Sequence, residues 1–94
     1  MIQVSQLRWD DWNRAHIAKH GITAEQVEEV CQGPNIVRQG YKGRLMVIGP
    51  DGAGRVLVAV LDPEGKDAYY AVSARPASRR ERQIYQREKG GGAP

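Results

Sequence analysis

Residues 56–61, Val-Leu-Val-Ala-Val-Leu, are six apolar positions in a row, and no other stretch limits the fold of this chain as much. A short run without alternation has no polar face to offer solvent, so it reads as a central strand covered on both sides. Such a strand needs neighbours. Residues 36–38, 44–48 and 68–74 supply them, and the turn-rich stretches 39–43, 49–54 and 62–67 separate the runs. Connections this short predict an antiparallel meander. The glycines of Gly49-Pro50-Asp51-Gly52-Ala53-Gly54 suit one of these hairpin turns better than a nucleotide-binding loop. Along 68–74, strict alternation puts Tyr69, Ala71, Ser73 and Arg75 on one face and Ala68, Tyr70, Val72 and Ala74 on the other.

Ahead of the meander the period is helical. Residues 2–8 alternate loosely as a first strand, and Asp10 or Asp11 then caps a helix that runs to about His20 and ends at Gly21. Trp12, Ala15, His16 and Lys19 share one face of it, which makes Trp12 the expected core anchor with the stem of Lys19 alongside. Thr23 and Gln26 have capping-box spacing, and Ile22 and Val27 the spacing of a hydrophobic staple. The second helix runs to about Cys31, buries Val27, Val30 and Cys31, and stops at Gly33-Pro34. The expected class is α+β: an N-terminal strand and helical hairpin, then an antiparallel sheet and a C-terminal helix. With 94 residues, 40% of them hydrophobic, the chain suits one domain over 1–89 with a flexible tail at 90–94. A domain of this size buries little of its own surface, so a partner or dimer contact is expected to add stability.

The single Cys31 excludes an intrachain disulfide, and with two distant histidines it is a poor basis for a structural zinc site. No cofactor is called for. The chain has no signal peptide and no apolar run near 18 residues, so the expected setting is cytoplasmic, away from membranes. Charge is unevenly placed: residues 1–34 carry three Lys or Arg against five carboxylates, and residues 75–94 six against two. A basic end attracts nucleic acid or an acidic protein alike.

The basic end starts where the last strand meets the last helix. Ser78 and Glu81 form a third capping box, so the helix should begin at Arg79 and run to about Lys89. Arg75 then lies at the strand end, with Arg79 and Arg80 in the first turn, and the three outline a phosphate seat. Cations in a first turn are unfavourable for the helix itself, so the seat calls for an acidic partner or an anionic ligand. Only Ile84 and Tyr85, with Ala77 just before them, give this helix an apolar edge; weak docking on the sheet is expected. The same stretch suits a nucleic-acid-binding module without chemistry, or a domain that docks an acidic partner through Ile84, Tyr85 and the arginines around them.

Four segments in order, Trp9-Asp10, Lys19-His20-Gly21-Ile22, Gly43-Arg44-Leu45-Met46-Val47 and Ser73-Ala74-Arg75-Pro76-Ala77-Ser78-Arg79-Arg80-Glu81-Arg82, resemble the BrnT toxins of bacterial type II toxin–antitoxin systems. The resemblance covers most of residues 7–85. It implies a compact RelE-like fold, a metal-independent endoribonuclease that arrests growth, and inhibition by a cognate BrnA-like antitoxin. It also implies contact with operator DNA only through the antitoxin complex. The loop 34–43 is shorter than in many members, and Asp11-Trp12-Asn13 stands where a proline and a lysine are common; both departures bear on target preference.

A ribonuclease that uses the 2′-hydroxyl of its own substrate needs a base, positive charge for the pentavalent phosphate and an acid for the leaving oxygen. Arginine suits the charge role because its planar fork holds two phosphate oxygens. Arg75 is the first candidate, followed by Arg44 and Arg79; Arg44 also matches the arginine after the family's glycine. A structural ion pair is the competing reading for Arg75. His20 titrates near neutrality and is carried over by the resemblance as a catalytic candidate, although a histidine before Gly21 also makes a good helix cap. Lys19, Lys42, Arg80, Arg82 and Tyr85 are the candidate RNA contacts, with Arg80 and Arg82 also suited to a helical ladder with Glu81 and Tyr85 to packing. Trp9 and Trp12 can stack on bases, though the helical pattern favours core use for Trp12. Composition shows no clear acid–base pair, so the word ribonuclease rests on the resemblance.

Overall fold

The computed structural model describes residues 6–66 and 68–90. The elements are β1 (Gln6–Arg8), α1 (Asp11–Ala18), α2 (Ala24–Gln32), β2 (Ile36–Gln39), β3 (Leu45–Pro50), β4 (Val56–Gly65), β5 (Ala68–Pro76) and α3 (Arg79–Tyr85), which continues as a π-turn over Gln86–Gly90. Residues 2–5 of the expected first strand and 91–94 of the expected tail lie outside the described residues. The five strands form one mixed sheet in the order β1-β5-β4-β3-β2. From β2 to β5 it is the expected antiparallel meander, while β1 pairs parallel to β5, with Leu7 opposite Tyr69. The helical pair α1 and α2 carries the chain across one face, from the β1 edge to the β2 edge.

All three helices start in capping boxes: Asp10 with Asn13, Thr23 with Gln26, and Ser78 with Glu81. Regular α1 stops at Ala18, and the chain turns through Lys19 and His20 to Gly21, whose φ of +73° suits a residue without Cβ. The β3–β4 turn is tied to α2. Asp51 accepts from the backbone of Ala53 and Arg55 and from the Gln26 side chain, while Glu29 accepts from the Gly52 N–H. Gly49 is not part of that turn. It lies in β3, where an added Cβ would come within 2.9 Å of the Pro34 carbonyl oxygen.

β4 is central and buried on both faces. Leu57, Ala59 and Leu61 join Ile17, Ile22, Val27, Val30 and Cys31 under α1 and α2, while Val58 joins Ile36, Ile48, Ala77 and Tyr85 under α3. Burial of one such Leu or Val contributes about 1.5–3 kcal/mol, so the two helical layers are both anchored on this strand. The expected weak docking of the last helix is therefore corrected. Tyr85 is buried and its hydroxyl donates to the Pro34 carbonyl at 2.9 Å.

Two expectations of facing are overturned. Trp12 is not a core anchor: it is 58% exposed, and α1 buries Asn13 and Ile17 instead. The capping box decides the rotation, because Asn13 must turn inward to accept from the Asp10 N–H, and its amide then donates to the Arg8 carbonyl. Alternation along β5 is also broken. Val60 pairs with Ser73 but Leu61 pairs with Ala71, so Val72 is an extra residue and the strand changes phase there. Tyr69 and Ala71 face α1 and α2, whereas Arg75, opposite Val58, faces α3.

Candidate nucleic-acid interface

At the junction of β5 and α3, the Arg75 guanidinium meets both carboxylate oxygens of Glu81, at 2.7 and 2.8 Å. The same carboxylate accepts from the Ser78 N–H at 2.8 Å. Glu81 is thus the anion of the expected phosphate seat. Its pKa falls to about 2, first through the Arg75 hydrogen bonds, against the cost of burial. The acidic partner that the seat calls for is in the chain itself, and it serves Arg75. Arg79 and Arg80 are exposed beside it, and among the described residues neither is within ion-pair distance of a carboxylate. Arg82 is exposed but tethered, donating to the Ala77 carbonyl at 2.9 Å, whereas Tyr85 is buried and its hydroxyl donates to Pro34.

The sheet face under α3 continues past the helix. Arg44 leaves a tight turn in which Lys42 takes φ 59° and Gly43 φ 78°, and its own backbone is extended. Alternation along β3 puts Arg44 on the side of Met46 and Ile48, which is the α3 side, and Arg38 pairs opposite Met46 on that same side. Arg38 forms an ion pair with Glu88. The two carboxylates of the last helical segment therefore hold two strand arginines, Arg75 on β5 and Arg38 on β2, and pin the segment across the sheet. Arg44 has no such partner among the described residues. Next to it Met46, Val60 and Ser73 are partly exposed, and Lys42 reaches over the Tyr41 ring at 5.6 Å from its centroid. By strand spacing, the Cα of Arg44 lies roughly 13 Å along and about 10 Å across from that of Arg75. The two arginines suit different phosphates of a strand.

His20 and Lys19 are elsewhere. Both are exposed in the turn after α1, in the helical layer on the opposite side of the sheet from Arg75. The structure does not bring His20 together with the three candidate arginines. The His20 ring stands edge-on to His16 at 6.1 Å, and His16 stacks on Trp12 at 4.8 Å with 8° between the planes. Trp9 is engaged in the core, donating to Glu28 at 2.9 Å with Arg14 over its ring.

One polar cluster has no local signature in the sequence. Arg8 pairs with both oxygens of Glu64 at 2.7 Å and lies 4.3 Å over the Tyr70 ring, and the Tyr70 hydroxyl donates to the Asp10 carboxylate at 3.0 Å. Parallel pairing of β1 with β5 assembles it from residues 60 apart. Desolvation and the Asp10 charge raise the Tyr70 pKa, while backbone hydrogen bonds hold Asp10 low. Tyr70 keeps its proton and Asp10 stays ionised, which suits a clamp on the β1 edge better than proton transfer. Beside it a shallow cavity of about 380 Å³ is lined by Gln6, Leu7, Arg8, Trp9, Glu64 and Ala68. Burial pushes the Cys31 thiol up to about 12, which leaves it inert. Among the described residues no three His, Cys, Asp or Glu side chains gather as a metal-binding group, and no helix is long and apolar enough to cross a membrane.

Comparison with known proteins places these features in a family. No curated protein matches the chain. Among solved structures, the crystal structure of the Brucella abortus ribonuclease toxin BrnT superposes with a TM-score of 0.64 at 30% sequence identity, covering 79% of this chain and 97% of that one. The family model described as the ribonuclease toxin BrnT of type II toxin–antitoxin systems matches residues 9–81, from the Trp9-Asp10 pair through the capping box that holds Arg75. The chain belongs to the BrnT family of type II ribonuclease toxins.

Proposed function

We propose that the chain is a metal-independent endoribonuclease of RelE-like ancestry that acts in the cytoplasm by turning a 2′-hydroxyl onto the adjacent phosphate. The hydroxyl gives its proton to a base as its oxygen bonds to phosphorus, the bond to the 5′-oxygen breaks, and that oxygen leaves with a proton from an acid, giving a cyclic phosphate end. The protein's part is to hold the strand and to meet the charge that develops on the phosphoryl oxygens. Arg44 fits that part best, because it lies on the partly exposed α3 side of the sheet and among the described residues no carboxylate is within ion-pair distance of it, Asp62 across from it on β4 included. This observation carries the reading.

Arg79, Arg80 and Lys42 are exposed around the same side and would hold flanking phosphates, with Arg75 joining them where RNA competes with Glu81. His20 and Lys19 would meet RNA on the far side of the molecule, apart from the scissile bond. Family membership brings an antitoxin partner, and we propose one of the BrnA type, whose acidic segment covers Arg44, Arg75 and Arg79 and whose own domain is the route to operator DNA. Undiminished RNA binding by the toxin–antitoxin complex would sink that competition.

The test is a single-turnover RNA cleavage assay in EDTA with the wild type, Arg44→Ala and Arg75→Ala, each checked for folding. Arg44→Ala is expected to slow cleavage by about 10²-fold, the usual cost of one preorganised donor, and Arg75→Ala by less. Full activity in Arg44→Ala overturns its assignment. Intact RNA with the wild type overturns the ribonuclease reading.

A further inference from the structure

The outward face of α1 carries rings that the fold does not use. Trp12 and His16 are stacked with their centroids 4.8 Å apart and 8° between planes, and His20 extends the row edge-on. His16 covers one face of the indole, yet Trp12 remains 58% exposed, so its other face and its edges are open to solvent. The burial of Asn13 and Ile17 on the opposite side explains this, because it fixes which way the helix turns. Ala15 and Lys19 complete the outward face. Its one acid is at the edge: Asp11 is turned about 100° away from Trp12 and stands one turn before Ala15, away from the imidazoles.

We propose that Trp12 and His16 form a stacking platform for an unpaired nucleobase of the RNA, with Lys19 on the neighbouring phosphate. The proposal rests on the ribonuclease reading and adds to it a substrate class, single-stranded RNA, and a second contact remote from Arg44. A base adds to the open indole face as a third layer of an existing stack. The rings are already ordered by each other, so little freedom is lost on binding. A protein partner would want a wide apolar patch, whereas here one tryptophan shares its face with alanine, two imidazoles and an ammonium group, with the Asp11 carboxylate at the edge. Among the described residues the other exposed large hydrophobic is Tyr41, in the turn before β3. The charge and the ring geometry favour RNA.

The test uses the full chain and a 2′-O-methylated oligoribonucleotide, which cannot be cleaved by its own hydroxyl, as a single strand and as a duplex. Wild type is expected to bind the single strand with quenching of tryptophan fluorescence. Trp12→Ala and Trp12→Leu should bind it about tenfold more weakly and lose the quenching, and Trp12→Tyr should recover most of the affinity. Duplex affinity should be the same in all four. Unchanged single-strand affinity in Trp12→Ala and Trp12→Leu, with cleavage by the wild type intact, overturns the platform alone; so does a loss confined to antitoxin binding. A wild type that neither binds nor cleaves RNA overturns the ribonuclease reading beneath it.

Discussion

Arg75 and Glu81 form a two-pronged ion pair, at 2.7 and 2.8 Å, between the last strand and the first turn of α3. Because the glutamate is also the capping-box residue of that helix, one carboxylate closes the strand-to-helix corner in two ways. Its side chain is 16% exposed and that of Arg75 39%, so the pair is held partly out of water.

The corner should therefore respond to acid. Glu81 is depressed from 4.5 to about 2, so its contribution is complete above its unfolded value and is lost as pH falls from about 4.5 towards 2. After discounting for the exposure of Arg75, that contribution is on the order of 1–2 kcal/mol. Urea unfolding of the wild type and Glu81→Gln across this range should converge at the acid end. Parallel curves would show that the pair adds nothing specific.

The orientation of α1 makes a prediction that opposes residue size. Trp12→Ala should change unfolding free energy by less than about 0.5 kcal/mol, while Asn13→Ala, which removes a buried, fully bonded amide and half of a capping box, should cost about 2 kcal/mol. Thermal melts of the two variants decide it. The reverse order would mean that Trp12 is packed.

Tyr85→Phe keeps the ring under the sheet and removes the hydroxyl that donates to Pro34. A loss of about 1 kcal/mol is expected, with single-turnover cleavage unchanged. A large drop in cleavage at intact stability would return Tyr85 to the substrate.

Among the described residues Arg79 and Arg80 pair with no carboxylate, so they should act through charge alone. In Arg79→Ala and Arg80→Ala, binding of a single-stranded oligoribonucleotide should weaken, and the slope of log affinity against log salt should become shallower by about 0.7 for each phosphate contact removed. A slope equal to that of the wild type would leave both as ordinary surface arginines.

The local signals in the chain were sound. The Thr23 and Ser78 capping boxes, the Gly33-Pro34 stop and the apolar 56–61 run each specify their element through neighbours a few residues away, and each is found in the structure. What misled was choice among faces. The face that Trp12 shares with Ala15, His16 and Lys19 pointed to the core, but the Asp10–Asn13 cap fixes the rotation of a short helix more firmly than that pattern does. Val72 looks like any strand residue, and only its lack of a partner on β4 reveals the change of phase that sends Arg75 towards α3. The arginines of the candidate interface were legible as residues. An ion pair at Arg75 was a legible alternative, but its partner was not, because Glu81 had already been given a role in the helix cap; Glu88 pairs with Arg38 across a distance that no spacing rule covers. The Asp10–Tyr70 bond is of the same kind.

The parallel seat of β1 beside β5 also bears on the order in which a ribosome can complete this molecule. Residues 6–8 are made about 60 residues before their partners, 68–70, so β1 has no seat until β5 has emerged. The closing pairings are the long-range ones, which form slowly and together. A nascent chain cut short before β5 lacks the seat for β1, the anchor for Asp10 and the whole of α3, so the partly exposed basic side of the sheet comes into being only once β5 and α3 have been made.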